Sequence, residues 1–180
     1  MKSCKILYPI QTSFLDYPDN QSLALVICFI GCEHNCPGCQ NKKLQSLDYS
    51  NGVLEFESFD EMKSFINQNI LNLLKRNHTN KIVFSGGDPL MLNNREFLDI
   101  ILQTLPDDID VCIYTGYVID RVKEMNLHFD KIKYFKCGPF VKSLSRESYK
   151  NDIEMCLASS NQGIYDNKFN ELSNNGILKF

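Results

Sequence analysis

Apolar and polar positions change their period several times along the chain, and the changes mark its elements. Leu23-Ala-Leu-Val-Ile-Cys-Phe-Ile30 is an unbroken apolar run ended by Gly31, the pattern of a strand covered on both faces in a parallel sheet. Ser58-Phe-Asp-Glu61 has capping-box form, and Phe59, Met62, Phe65, Ile66, Ile70, Leu73 and Leu74 follow at helical spacing until Asn77-His-Thr-Asn80 breaks the pattern. Lys81 to Ser85 predicts a second strand, stopped by Gly86-Gly-Asp-Pro89. Asn93 with Glu96 predicts another helix start, with Phe97, Leu98, Ile101, Leu102 and Leu105 as its apolar stripe before Pro106. Asp110 to Tyr114 reads as a third strand ended by Thr115-Gly116, and a weaker helical pattern covers about Val118 to Met125. Lys131 to Phe135 is a fourth strand closed by Gly138-Pro139, and Ile153 to Ala158 is a candidate fifth.

Strands alternating with helices imply right-handed βαβ units around a parallel sheet, an α/β fold. In barrel-like versions of that architecture the active site lies at the carboxyl ends of the strands. The four unusual segments all fall at such ends: the cysteine loop after the first strand, Gly-Gly-Asp-Pro after the second, Tyr-Thr-Gly after the third and Gly-Pro after the fourth. Residues 1–163 read as a single domain; residues 164–180 are polar with few apolar anchors and are expected to be an appendage.

Charge narrows the partners. The formal net charge is −3 and the Lys and Arg residues are spread along the chain, which argues against nucleic acid, since phosphate binding needs a clustered basic face. The run from Leu23 to Ile30 is too short to cross a bilayer, and residues 1–22 lack a basic-then-apolar leader, so the expectation is a cytoplasmic protein with no membrane partner.

Eight cysteines are many for a reducing compartment. Cys4, Cys28, Cys112, Cys137 and Cys156 are scattered, and their plain reading is as small core hydrophobes. Cys32, Cys36 and Cys39 instead share one loop, Cys32-Glu-His-Asn-Cys36-Pro-Gly-Cys39, with C-x3-C-x2-C spacing. A cubane iron–sulfur cluster asks for four thiolates, so three leave one iron open to a small molecule, and an open position marks a catalytic metal site. The alternative is a structural zinc site with Cys28 or His34 as fourth ligand. Closed zinc sites usually take a second Cys/His pair from elsewhere in the chain, and none is evident.

The cysteine loop followed by Gly-Gly-Asp-Pro resembles the radical S-adenosylmethionine superfamily. Within it, Gly31-Cys-Glu-His-Asn-Cys-Pro-Gly-Cys39 with Asn41, Ser85-Gly-Gly-Asp-Pro-Leu90, Tyr114-Thr-Gly-Tyr117, Gly138-Pro-Phe-Val141 and Ser159-Ser-Asn-Gln162 resemble the activating proteins of anaerobic ribonucleoside-triphosphate reductase, in the same order and over most of the chain. The resemblance implies an incomplete (β/α) barrel of parallel strands with outer helices. It implies a 4Fe-4S cluster on Cys32, Cys36 and Cys39 that cleaves S-adenosyl-L-methionine to methionine and a 5′-deoxyadenosyl radical. That radical would take hydrogen from a glycine of the reductase, with electrons from a one-electron donor such as a flavodoxin.

Cofactor contacts are expected from Asn41, Gly86, Gly87, Asp88, Tyr114 and Thr115. Gly86 and Gly87 lack a Cβ, so their backbone can approach the methionyl ammonium, and Asp88 adds negative charge nearby. Asp88-Pro89 is also a good N-cap and N1 pair, which would make the segment a plain strand-to-helix turn. Tyr114 and Thr115 would face ribose or adenine, though an aromatic at a strand end also serves packing. Asn41 would hydrogen-bond near the cluster or act as a turn residue. Three positions depart from many relatives: Gln40 in place of an aromatic, Cys137 in place of an acid and Ala158 in place of Gly. The first two are expected on the cofactor rim. Competing functions are activation of another glycyl-radical enzyme such as pyruvate formate-lyase, and a non-catalytic iron–sulfur or zinc-binding module.

Overall fold

A computed structural model describes residues 3–180. Twelve strands run in chain order as β1 (Cys4–Leu7), β2 (Gln11–Ser13), β3 (Ala24–Phe29), β4 (Val53–Phe56), β5 (Lys81–Gly86), β6 (Asp110–Tyr114), β7 (Ile132–Cys137), β8 (Tyr149–Lys150), β9 (Glu154–Cys156), β10 (Gly163–Asp166), β11 (Ser173–Asn174) and β12 (Ile177–Lys179). The protein is mixed α/β. Its main sheet has the order β10-β7-β6-β5-β3-β1-β4, with β2 also paired to β3. The centre, β3-β5-β6-β7, is parallel, in register through Leu25↔Ile82↔Val111↔Ile132. The flanking strands β1, β2, β4 and β10 are antiparallel to their neighbours.

The unbroken apolar runs have the cause the pattern suggested: both faces of the central strands are covered. Ile82, Phe84, Val111 and Ile113 point into one core with the helices, while Val83 and Cys112 point to the other side, against Tyr17 and Ala24. A second, four-stranded antiparallel sheet (β11-β12-β9-β8) contributes Met155, Leu157 and Leu178, which pack with Tyr114 and Tyr134 on that second face.

The first helix runs as α1 (Phe59–Phe65), a π turn at Ile66–Ile70, and α2 (Leu71–Arg76). Ser58 caps it by accepting from Glu61 N at 3.2 Å; the Glu61 carboxylate accepts from Glu57 N at 2.8 Å, one residue earlier than a reciprocal capping box would have it. Its buried residues are Met62, Ile66, Ile70 and Leu74, spaced by four throughout. A stripe with that spacing drifts around a helix of 3.6 residues per turn, and the wider π turn takes up the drift. Phe59, read as part of the stripe, is instead 40% exposed, its ring packed edge-on against Phe97.

The next helix, α3 (Leu92–Thr104), starts one residue before the expected Asn93, with Met91 at the N-cap and no side-chain cap bond. The polar residue that matters there is Asn94. It is buried and donates to Ile30 O at 3.1 Å and Asp88 O at 2.9 Å, tying the helix to the segments after β3 and β5. The weaker helix is α4 (Ile119–Lys123), inside its expected bounds.

Two expectations at the C-terminal side need correction. The candidate fifth strand forms as β9, but in the small antiparallel sheet rather than beside β7. The place beside β7 is taken by β10, paired through Gly163↔Cys137. Residues 164–180, expected as an appendage, are built into both sheets, and Ile164 is fully buried. The apolar anchors are few, and each of Ile164 and Leu178 fills a core position.

Candidate functional site

The carboxyl ends of β3, β5, β6 and β7 open into one cavity of about 320 Å³, within the range of small-molecule sites. Cys32, Cys36 and Cys39 line it, as do Gly86 and Gly87 at the end of β5, Tyr114 to Gly116 at the end of β6, and Lys136 and Gly138 at the end of β7. The far wall comes from Phe140, Ser145, Arg146 and Ser148 with Ala158 and Gln162, so this chain's own residues stand over one side of the mouth.

The cysteine loop is anchored at its start. Gly31 N donates to Leu44 O at 2.7 Å, Cys32 N to Gln45 O at 3.0 Å, and Asp88 N to Gly31 O at 2.8 Å. All three thiols are free and partly buried. Burial, and then the neighbouring charges of Asp88, Cys36 and Cys39, push the Cys32 thiol up to about 11, against which the His34 backbone N–H favours the thiolate. A Cys32 thiolate so placed is unfavourable alone and is relieved by a bound cation. Among the described residues no three Cys, His, Asp or Glu side chains converge on a single ion. The thiols lie around a cavity wall, which suits a multi-iron cluster that takes its ligands at separate corners.

The two glycines at the end of β5 are demanded by the fold. Gly86 has φ +104°, and a Cβ there would lie 2.6 Å from Phe29 O; a Cβ on Gly87 would lie 2.3 Å from Gly31 O. Both line the cavity, but their bare backbones also press against the chain that leads into Cys32. Asn41 lines the cavity and donates to Gly86 O at 3.2 Å, so it joins the two loops.

Asp88 is not where its expected role would put it. It is fully buried and does not line the cavity. Its carboxylate accepts from Thr115 Oγ1 (2.9 and 3.0 Å), Gly116 N (2.9 Å), Leu90 N (2.8 Å) and His34 Nε2 (2.8 Å). Nor is it a helix N-cap, because α3 begins after Met91 and Asp88 closes only the turn to Leu90. Thr115 is likewise committed to Asp88, and the Tyr114 hydroxyl donates to Asp16 O, so neither hydroxyl faces the cavity. The Tyr114 ring remains on the cavity wall, 5.4 Å from Lys136 Nζ.

Lys136, Arg146 and Gln45 escaped sequence reasoning. Lys136 keeps part of its surface at the cavity while protein surrounds the rest; burial pulls its ammonium down to about 8, opposed by the charges of Cys137, Asp88, Cys36 and Cys112. Gln45 Nε2 is buried with no hydrogen-bond partner. The cavity lining contains Lys136 and Arg146 but no Asp or Glu, and neither cation has a carboxylate partner among the described residues. The sequence offered little signal for Lys136, because β7 carries two lysines and the other, Lys133, is exposed. Of the departures, Gln40 and Ala158 line the cavity, whereas Cys137 is buried in the core away from it, contrary to its expected place on the rim. Ser159 and Gln162 hold the mouth together: Gln162 Nε2 donates to Gly138 O at 3.1 Å and Val141 N to Ser159 Oγ at 3.4 Å.

Residues 22–165 match the family described as a 4Fe-4S single cluster domain. The chain is also similar to the anaerobic ribonucleoside-triphosphate reductase-activating protein of Haemophilus influenzae, 37% identical over 119 residues that cover 62% of this chain and 70% of that one. The protein of the same name from Salmonella typhimurium is 30% identical over 139 residues, 75% of this chain and 82% of that one. The chain belongs to this activating-protein family. Its phage T4 member is 23% identical over 158 residues, 83% of this chain and 92% of its own. No solved structure matches the chain. The matched description names an iron–sulfur cluster, so the family carries 4Fe-4S chemistry where spacing alone had left zinc open.

Proposed function

We propose that this protein activates anaerobic ribonucleoside-triphosphate reductase by cleaving S-adenosyl-L-methionine at a 4Fe-4S cluster and placing a radical on a glycine of the reductase. The observation that carries the reading is the single cavity in which three clustered thiols meet the loops after four parallel strands. The main sheet, in this reading, is a partial (β/α) barrel with its carboxyl rim as the working face.

Cys32, Cys36 and Cys39, which line the cavity, would hold the cluster and would leave it one iron without a protein thiolate. When bound, the cluster supplies one electron that breaks the sulfonium–C5′ bond, giving methionine and a 5′-deoxyadenosyl radical that becomes 5′-deoxyadenosine on taking the glycine hydrogen. The chain's own residues bind and shield. Lys136 and Arg146 would attract the carboxylate of the cofactor, Gln45 Nε2 would donate to an acceptor at the cluster end, and Gly86 and Gly87 would let the cofactor lie against bare backbone. The Tyr114 ring gives an apolar wall. The far wall and the partner's glycine segment would together exclude water from the radical.

The names of the relatives favour the reductase over pyruvate formate-lyase as partner. A flavodoxin-type donor and a cytoplasmic setting go with this reading; no helix among the described residues is long and apolar enough to cross a membrane. Anaerobically reconstituted protein incubated with reductant and S-adenosyl-L-methionine should form 5′-deoxyadenosine, and adding the reductase should give a glycyl radical signal by electron paramagnetic resonance. Brown, iron-loaded protein that forms no 5′-deoxyadenosine would reduce the protein to a non-catalytic iron–sulfur carrier.

A further inference from the structure

We infer that Asp88 and His34 form a positioning pair that sets the cysteine loop in its cluster-binding shape before any cluster arrives. The inference rests on the reading that Cys32, Cys36 and Cys39 are the cluster ligands.

His34 sits between the first two of those cysteines, and its side chain leaves the loop for the end of β6. Nε2 meets the Asp88 carboxylate at 2.8 Å, and since a carboxylate only accepts, that nitrogen carries the proton. The ring lies against Gly116, where a Cβ would stand 2.3 Å from its Cδ2, and meets Tyr117 edge-on with centroids 4.5 Å apart. Tyr117 in turn donates its hydroxyl to Glu33, the residue before His34. The imidazole therefore has one seat, bounded by a glycine, an aromatic edge and a carboxylate.

The carboxylate is itself immobile. Its other acceptor positions are filled by Thr115, Gly116 and Leu90, and a carboxylate offers roughly four in all. A group so fully used has nothing left for a cofactor ammonium, which separates this role from direct binding. What it fixes is the position of His34, and with it the stretch of loop between Cys32 and Cys36. Beyond His34 the loop turns through Asn35 at φ +49° and Gly38 at φ +80°, held among the described residues by the local bond Cys39 N→Cys36 O at 3.2 Å. The pair thus holds the middle of a segment whose start is pinned at Gly31 and whose remainder is a free turn.

Partners that orient metal ligands are commonly worth about 10–100-fold in metal affinity. In the apo protein, His34→Ala should speed amide hydrogen exchange across residues 33–36 by about tenfold while exchange in β6 and α3 is unchanged. After anaerobic reconstitution, a chelator should strip iron from His34→Ala about tenfold faster, and the reduced cluster should give a shifted paramagnetic signal. His34→Gln, which restores an N–H donor, should recover most of all three. Parental exchange and iron retention in His34→Ala would overturn the inference, and so would a failure of His34→Gln to recover anything, since the effect would then lie in ring packing. Asp88→Asn provides the opposing test. If it bound S-adenosyl-L-methionine poorly while loop exchange and iron retention stayed parental, Asp88 would be a cofactor contact and the pair would be wrong. The exchange measurement involves no iron, so it judges the pair even if the ligand assignment fails.

Discussion

At the residue scale, the two kinds of cysteine should separate cleanly. Replacing Cys32, Cys36 or Cys39 singly by Ala should abolish 5′-deoxyadenosine formation and remove most bound iron. Cys4→Ala and Cys112→Ala should keep the iron, because both thiols are buried in core clusters and contribute only apolar volume. Iron analysis of the five proteins side by side decides the matter. Gly87 carries a different expectation from the one its sequence suggests. Read as an open approach to the cofactor, Gly87→Ala would spare the loop; with Gly31 O 2.3 Å from the new Cβ, it should instead displace the chain entering Cys32. Overpacking of this kind costs about 1–3 kcal/mol, so iron content and melting temperature should fall together. Lys136 gives a pH signature. Its ammonium is held near about 8, against an ordinary 10.5, so above that pH the apo cavity loses a positive charge, while below it the protein bears the strain of a buried cation. The sign for folding is that stability gained from this group rises between pH 8 and 10.5, where the unfolded chain binds the extra proton. Competitive acylation of the apo protein should show Lys136 titrating lower than the exposed lysines, and Lys136→Met should abolish that early step.

At the scale of elements, the parallel centre was legible because continuous apolar runs have few other homes, and β6 fell on its predicted bounds, Asp110 to Tyr114. The rim was legible for a related reason: glycine and proline after each strand mark places where the chain must turn. What escaped were interactions between segments far apart in the chain. The Asp88 carboxylate could be read from its neighbours as a cap or as a cofactor contact, and only the fold brings it to His34 and Thr115. The small sheet escaped as a sheet because its strands are two or three residues long and no periodicity can be read over that length. The role of residues 164–180 is testable through Ile164. It sits in β10 with no exposed surface, so Ile164→Ala should destabilise by about 2–5 kcal/mol, measured by denaturant unfolding. A loss within about 0.5 kcal/mol, the range of surface substitutions, would return the segment to the status of an appendage.

At the scale of the whole molecule, helices cover one face of the main sheet and the small sheet part of the other, which leaves the carboxyl rim as the working surface. Specificity for a partner would then rest on the far wall. Mixed anaerobically with reductant and S-adenosyl-L-methionine, the reductase should acquire a glycyl radical and pyruvate formate-lyase little or none; the reverse result would change the partner and leave the chemistry.

The pairing of β10 with β7, and of β12 with β9, also has a consequence for timing. Each late strand joins a partner made well before it, and between them lie Arg146, Ser148 and Ala158, which wall the cavity. On the ribosome, the cysteine loop and all four parallel strands emerge while that wall still lacks the strands that hold it. A cluster delivered during synthesis would meet a site open on one side, exposed to solvent and oxygen. Chain order therefore completes the far wall of the cavity only once β10 and β12 have joined the two sheets.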